Sequence, residues 1–338
     1  MKQIWITRYG GPEVLEVRDV SLPPLRENEV TVGVRAAGFN FADLMAMKGL
    51  YPDAPKPPCV VGYEISGVVE ELGPGVPPSW IGKEVIAFTR FGGYSEKVNL
   101  SVNQIFETPE SLTLEEGAAL PVNYLTAYQL VKVMGSLNKG ETILIHNVGG
   151  GVGLAALQYA RGVGAVTMGT ASSGKHEFLK KQGLQHPIDY RKKDWEKQVL
   201  NLTGGKGVDL ILDPVGGANW KKNYRLLRST GRLGMFGVSS ASEGKAGKIL
   251  SLLGLAVRMP LFNPVALMNQ NRGVFGVNLG HLWHEPEKVR GWMEEILEDA
   301  GQGRIKPIVD RTFRFSEAAE AFRFVEERRN IGKVLLVP

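Results

Sequence analysis

The stretch that most constrains this chain is residues 141–164, ETILIHNVGGGVGLAALQYARGVG. A short apolar run, Thr142–His146, carries β-branched Ile143 and Ile145 and reads as a strand. Gly149, Gly150 and Gly151 follow, then Val152 and Gly153, and residues 154–161 read as a helix without a breaker. Strand, glycine turn, helix is the opening of a dinucleotide-binding βαβ unit. Glycine lets the backbone turn sharply and lets a pyrophosphate approach main-chain N–H groups, and the helix N-terminus offers that anion unpaired donors. The usual spacing is G-x-G-x-x-G. Here Val148-x-Gly150-x-x-Gly153 fits, with Val148 in the first glycine's place. A plain tight turn is the competing reading, and the position between strand and helix favours the nucleotide.

From residue 141 strands and helices alternate. Strands are expected at 163–169, 186–190, 208–212 and 231–238, with 272–279 a candidate sixth, and helices at 175–182, 195–203 and 220–227. Such alternation implies a doubly wound parallel sheet, an α/β fold. The chain before residue 141 is different. Ile4 and Ile6 alternate with polar neighbours, Gly10-Gly11-Pro12 is a turn, and residues 15–20, 29–36, 60–69, 82–88 and 93–98 read as further short strands. This is an irregular, mostly antiparallel β domain. Asn40 is placed to cap a helix starting near Phe41, with Asp43 in its first turn. Capping is the plain role for both, and a polar contact to substrate is the sharper one. Residues 49–58, GLYPDAPKPP, form a proline-rich loop that carries Tyr51. Residues 114–130 read as a helix with a kink or start at Pro121, and 287–302 and 317–327 as two more. The last strand, 332–337, cannot extend the nucleotide sheet without a crossover, so it is expected to return to the first domain.

At 338 residues the chain is too long for one ordinary core, so two domains are expected: 1–123 with 265–338, and 124–264. The net charge of +5 is scattered rather than bunched, which suits a solvated surface or an anionic ligand and gives no footprint for nucleic acid. Cys59 is the single cysteine, so no intrachain disulfide forms and a reducing compartment is expected. With no signal-peptide core and no window of transmembrane length, the expectation is a cytoplasmic protein.

The order of β domain, nucleotide domain and return resembles the medium-chain dehydrogenase/reductase superfamily. The supporting strings are residues 40–45 (NFADLM), 123–128 (NYLTAY), 169–172 (GTAS), 175–177 (KHE), 186–190 (HPIDY), 271–272 (NR) and 332–338 (GKVLLVP). They look most like the zinc-free, zeta-crystallin-type quinone oxidoreductases, and within them the vesicle amine transport protein family. The resemblance implies a GroES-like first domain and a Rossmann second one. In the zinc enzymes of the superfamily a cysteine stands where this chain has Asn40, and a histidine of a Gly-His-Glu string stands where it has Tyr63 within Gly62-Tyr63-Glu64. One cysteine cannot build a structural zinc lobe either, so no metal is expected.

The cofactor expected is NADP(H). An NAD site places Asp or Glu at the end of the second strand, about 20 residues past the glycine turn. Here Ser172, Ser173 and Lys175 occupy that region, and no acid occurs before Glu177. Two hydroxyls and a lysine suit a 2′-phosphate. In the related reductases the residues matching Lys175 and Tyr190 contact it. Resemblance and strand ends add Thr126, the Phe236-Gly237-Val238-Ser239 run, Val277-Asn278-Leu279 and Lys333, with Gly150, Gly151, Val152 and Gly153 at the pyrophosphate. It also puts Asn40 and Tyr51 beside the nicotinamide, with Asp43 and Tyr63 near, and the active site between the domains.

Two functions follow. One is NADPH-dependent reduction of quinones or α,β-unsaturated carbonyls, small molecules electron-poor enough to need no Lewis acid. The other is a nucleotide-binding, vesicle- or membrane-associated protein with little turnover. Residues 246–259, AGKILSLLGLAVRM, are expected to form an apolar helix stopped by Pro260. It would cover the substrate or a subunit contact of a homodimer, with a membrane surface or a mobile loop as less favoured readings.

Overall fold

The structure is a computed structural model and describes residues 1–242 and 259–338. The helix expected over 246–259 falls almost entirely outside the described residues. The chain forms two units, Met1–Leu125 with Leu282–Pro338, and Thr126–His281. Residues 265–281 therefore belong with the second unit, not with the first as the sequence suggested. The reason is a strand at Gly273–Gly276 that pairs with the nucleotide sheet.

In the first unit β1 (Lys2–Ile6) and β2 (Leu15–Asp19) form an antiparallel pair. The larger sheet is built from β3 (Glu29–Gly38), β4 (Glu64–Leu72), β5 (Glu84–Phe88), β6 (Lys97–Ser101) and β7 (Ile105–Glu107), joined by β14 (Val309–Arg314) and β15 (Lys333–Val337). Its order is β14-β15-β3-β4-β5-β7, with β6 also on β3. The last strand does return to this unit: Leu335 and Leu336 of β15 pair antiparallel with Gly38 and Ala37 of β3. The core beneath includes Val30, Val32, Ile65, Val69, Val85 and Phe322, all buried. Phe322, from the helix Ala318–Glu326, sets its ring edge-on to Phe39 at 4.6 Å and to Tyr94 at 6.4 Å.

The helix expected over 114–130 does restart at Pro121 and is three pieces. Thr113 caps Leu114–Ala118 through a reciprocal pair with Glu116. Pro121, which has no N–H to lose, begins Pro121–Tyr128. A single wider π turn, Gln129–Val133, then ends it.

The second unit holds β8 (Thr142–His146), β9 (Val166–Ala171), β10 (His186–Asp189), β11 (Val208–Asp213), β12 (Leu227–Met235) and β13 (Gly273–Gly276). Every pair is parallel and the order is β10-β9-β8-β11-β12-β13. Counted from β8 this is the three-two-one-four-five-six order of a dinucleotide-binding sheet, with its switch point between β8 and β11. All six residues of β11 are buried, as expected of a central strand covered on both faces. The strand expected to run to Val238 stops at Met235: Phe236 N–H makes the last ladder bond, to Asp213 O, and Ser239 and Ser240 N–H then turn to Pro214 O and Val215 O in the loop after β11.

Candidate functional site

The glycine turn lies at the carboxyl end of β8, beside the switch point. Asn147 takes the left-handed conformation, φ 53°, and its carbonyl accepts from Gly150 N–H at 2.9 Å. The helix Gly151–Val163 then starts with no side-chain cap, so its first-turn N–H groups face outward for an anion. The space demands glycine. A Cβ on Gly153 would lie 2.5 Å from Asn147 O and 2.7 Å from Val148 Cα. A Cβ on Gly150 would lie 2.8 Å from Asn147 Nδ2. Val148, in the first glycine's place, is fully buried, and Gly169 of β9 makes room for it: a Cβ there would meet Val148 Cγ1 at 2.7 Å. Sequence reading passed over Gly169 as a partner of the turn. Its spacing from Val148 carries no local signal.

Next comes the end of the second strand. Ala171 of β9 pairs with Asp189 of β10, so Ser172 and Tyr190 leave the sheet side by side. Lys175 N–H bonds Ser172 O at 2.9 Å. The Lys175 side chain lies over the glycine turn, with Cδ 3.3 Å from where a Cβ on Gly149 would stand. His176 Nε2 meets Ala171 O at 3.2 Å and holds the loop from behind. The first acid, Glu177, is exposed and paired with Lys180. The residues present therefore fit a dinucleotide bearing a phosphate on its adenosine ribose. Phe236 to Ser239 follow β12, and Val277 N–H bonds Met235 O at 2.9 Å, so both stretches lie at the carboxyl edge of the sheet. Asn278 Oδ1 accepts from Gly280 N–H ahead of the short turn Leu279–His281. Thr126 is buried on the helix Pro121–Tyr128.

The first unit brings Asn40, Asp43, Glu64 and Lys333 together, with Asn40 and Asp43 in the capping role their spacing predicts. Lys333 is 3% exposed, and its ammonium binds Glu64 Oε1 and Asn40 Oδ1. The sequence suggested a ligand for a cofactor phosphate or ribose; the structure commits the ammonium to a buried ion pair instead. Asp43 is fully buried and accepts from Asn40 N–H (2.8 Å), Gly62 N–H (3.1 Å) and the Tyr94 hydroxyl (2.6 Å). It is therefore a capping and core residue, and a direct contact to substrate is ruled out by its burial. That burial pushes its carboxyl up to about 7, against the pull of those donors and of Lys333. Asn40 Nδ2 donates to Glu64 Oε1 at 2.9 Å and to Gly38 O at 3.3 Å, so its amide is largely spent on the same network.

Tyr51 and Tyr63 remain available. Their rings meet edge-to-face at 6.3 Å, and Phe91 lies 5.3 Å from Tyr63. The Tyr63 hydroxyl is buried and faces that of Tyr51. Burial, and then the charge of Asp43, raise the Tyr63 phenol well above its ordinary value. Burial, and then Asp53, raise that of Tyr51. Both are neutral donors at neutral pH. Among the described residues no three of His, Cys, Asp and Glu gather as a metal site, and Cys59 is buried against Pro55 O.

A switch-point glycine turn on a six-stranded parallel sheet, together with a β unit closed by the C-terminal strand, defines a dinucleotide-binding fold. Residues 26–110 match the family described as alcohol dehydrogenase GroES-like domain, and residues 182–336 that described as zinc-binding dehydrogenase. The human synaptic vesicle membrane protein VAT-1 homolog is 39% identical over 336 residues, 98% of this chain and 85% of its own length. A quinone oxidoreductase of Pseudomonas aeruginosa is 34% identical over 339 residues, 100% of this chain and 99% of its own. The structure of Escherichia coli quinone oxidoreductase complexed with NADPH superposes with a TM-score of 0.88 at 29% identity, covering 100% of both chains. The chain belongs to the medium-chain dehydrogenase/reductase family, in its zeta-crystallin-type branch with the VAT-1 homologues and quinone oxidoreductases.

Proposed function

We propose that this protein is an NADPH-dependent reductase of quinones or α,β-unsaturated carbonyls that works without a metal. The observation that carries the reading is the end of β9, where two serines and Lys175 stand in place of an acid and Lys175 lies over the glycine turn. The NADPH complex of the Escherichia coli relative supports it. In this reading the N–H groups of Gly150 to Gly153 hold the pyrophosphate, and Ser172, Ser173, Lys175 and Tyr190 hold the 2′-phosphate. Thr126, Phe236 to Ser239 and Val277 to Leu279 serve the nicotinamide half. When bound, NADPH supplies the hydride. Tyr51 donates a hydrogen bond to the acceptor oxygen as negative charge develops there, with Tyr63 behind it, and its raised pKa keeps it protonated for the role.

Lys175→Ala is expected to weaken NADPH binding at least about tenfold, ~1.4 kcal/mol, and to leave NADH nearly unchanged, as read by fluorescence titration. Equal losses for both nucleotides would remove Lys175 from the phosphate. Tyr51→Phe is expected to lower kcat about tenfold to a hundredfold with little change in the KM for NADPH. An unchanged kcat would take Tyr51 out of the reaction.

A second reading is a nucleotide-binding protein held on a membrane surface. It is favoured by the exposure of Leu261 (99%), Val265 (57%) and Met268 (68%) and by the names of the VAT-1 relatives. No helix among the described residues is long and apolar enough to cross a membrane. Tight NADPH binding, co-sedimentation with liposomes and no oxidation of NADPH by any acceptor would select this reading. A homodimer belongs to the first, and light scattering tests it.

A further inference from the structure

Three polar side chains at the switch point have no place in the account so far. His146 ends β8, Asp213 ends β11, and Asn223 comes from the helix Ala218–Leu226 between β11 and β12. All are buried, with exposures of 3%, 0% and 0%. Buried polar groups at a ligand-binding edge are costly unless every donor finds an acceptor.

The bonding fixes their protonation. Asp213 Oδ2 accepts from Asn223 Nδ2 at 2.6 Å and Asn219 Nδ2 at 3.0 Å. A carboxylate only accepts, so the Asn223 amide must turn its nitrogen to Asp213 and its Oδ1 to His146 Nε2, 2.8 Å away. His146 Nε2 therefore carries the proton. Its Nδ1 then presents a lone pair to the Thr170 hydroxyl at 3.0 Å. Thr170, buried on β9, accepts from Asn147 N–H on Oγ1 (3.4 Å) and from Val148 N–H on its carbonyl (3.2 Å). At the far end Asp213 Oδ1 accepts from Val215 and Gly216 N–H. One directional chain runs from the first two residues of the glycine turn to the loop after β11.

We infer that His146 is a positioning residue of the nucleotide site: as a neutral imidazole protonated on Nε2, it ties the glycine turn to the Asp213 loop through Thr170 and Asn223. The inference rests on the NADPH reading for its ligand, but the tie itself is a property of the chain.

Protonating Nδ1 would leave Thr170 Oγ1 accepting from both His146 and Asn147, with its own proton unpaired in the interior. The groups facing the ring are Asp213 from β11, Asn223 from its helix, Thr170 from β9 and the Trp195 ring, edge-on at 5.2 Å. Beyond Trp195 lies the Lys222–Glu196 pair. Burial lowers the imidazole pKa from 6.5, and Asp213 and Asn223 oppose that. The neutral form, and with it the tied turn, is thus kept above pH 6.5 and lost as pH falls through the lowered value.

The test titrates NADPH into wild type, His146→Leu and His146→Gln from about pH 8 to about pH 5, and follows backbone amide exchange over residues 147–153 and 213–217 without nucleotide. His146→Leu is expected to bind NADPH at least about tenfold more weakly at every pH and to exchange faster in both loops. His146→Gln keeps a donor toward Asn223 but does not titrate. It is expected to bind near wild type at about pH 8 and to lose less affinity in acid. The ligand's own phosphate ionisation, near 6, is common to all three proteins and cancels in the comparison. Wild-type affinity and unaltered exchange in His146→Leu would overturn the inference. If wild type fails to bind NADPH at about pH 8, the functional reading falls, and exchange alone decides the tie: faster exchange sustains it and unchanged exchange sinks it. Should His146→Leu not fold, Thr170→Val takes its place with the same expected exchange.

Discussion

Lys333→Met is expected to cost about 3–5 kcal/mol of stability, read as a lower urea midpoint at constant slope. The lysine and its partner Glu64 are 3% and 0% exposed, and the ion pair joins strands 269 residues apart in sequence. Glu64 does more than balance the charge. Its Oε1 also accepts from Asn40 Nδ2 at 2.9 Å, and its Oε2 accepts from Val122 N–H at 2.7 Å, at the start of Pro121–Tyr128. Removing the ammonium leaves a carboxylate buried beside an amide oxygen without a donor. Glu64→Gln together with Lys333→Met removes the stranded charge and is expected to recover part of the loss. A single Lys333→Met change costing less than about 1 kcal/mol would mean the pair is solvated and the network is not a structural hub.

Gly153→Val is the second large effect. Its Cβ would meet three backbone atoms, Asn147 O at 2.5 Å, Val148 Cα at 2.7 Å and Val148 C at 2.8 Å, none of which can rotate aside. The turn must open, and the N–H groups that hold the pyrophosphate move with it. NADPH affinity is expected to fall at least about a hundredfold, ~2.7 kcal/mol, measured by calorimetric titration. Stability is expected to drop by about 1–3 kcal/mol. Gly162→Ala on the same helix is the control, because nothing lies within 4 Å of its Cβ position. It should leave binding untouched and raise stability by up to about 1 kcal/mol. Binding by Gly153→Val equal to that of Gly162→Ala would show that the turn does not hold the nucleotide.

The parts of this fold that follow from local pattern were legible in the sequence. Ile143 and Ile145 before three glycines, and a breaker-free run after them, mark β8, the turn and the helix Gly151–Val163. The Asn40-x-x-Asp43 spacing announced a capped helix, and Phe41–Met47 is that helix. What stayed hidden depends on residues distant in sequence. Nothing near Asp43 indicates that Tyr94 would bond it and seal it in the core, and nothing near Lys333 points to Glu64. Capping was legible for Asp43, but its alternative as a substrate contact, and Lys333 as a cofactor ligand, stayed open because a charged residue in a suggestive string carries no mark of its burial. The sheet edges were also blurred. β14 lacks a clean alternation, with Phe313 its one buried residue, and was not expected. The fifth strand ends early because the chain beyond Phe236 turns onto the loop after β11, where Ser239 N–H bonds Pro214 O and Ser240 N–H bonds Val215 O.

The measurement that bears most directly on the function is oxidation of NADPH by the purified protein in the presence of a panel of quinones and enones, followed by the loss of reduced-nicotinamide absorbance. Oxidation that saturates with at least one acceptor, falls with Tyr51→Phe and is slower with NADH is the predicted result. NADPH bound tightly but oxidised by none of the panel above the rate without protein would contradict the assignment as a reductase.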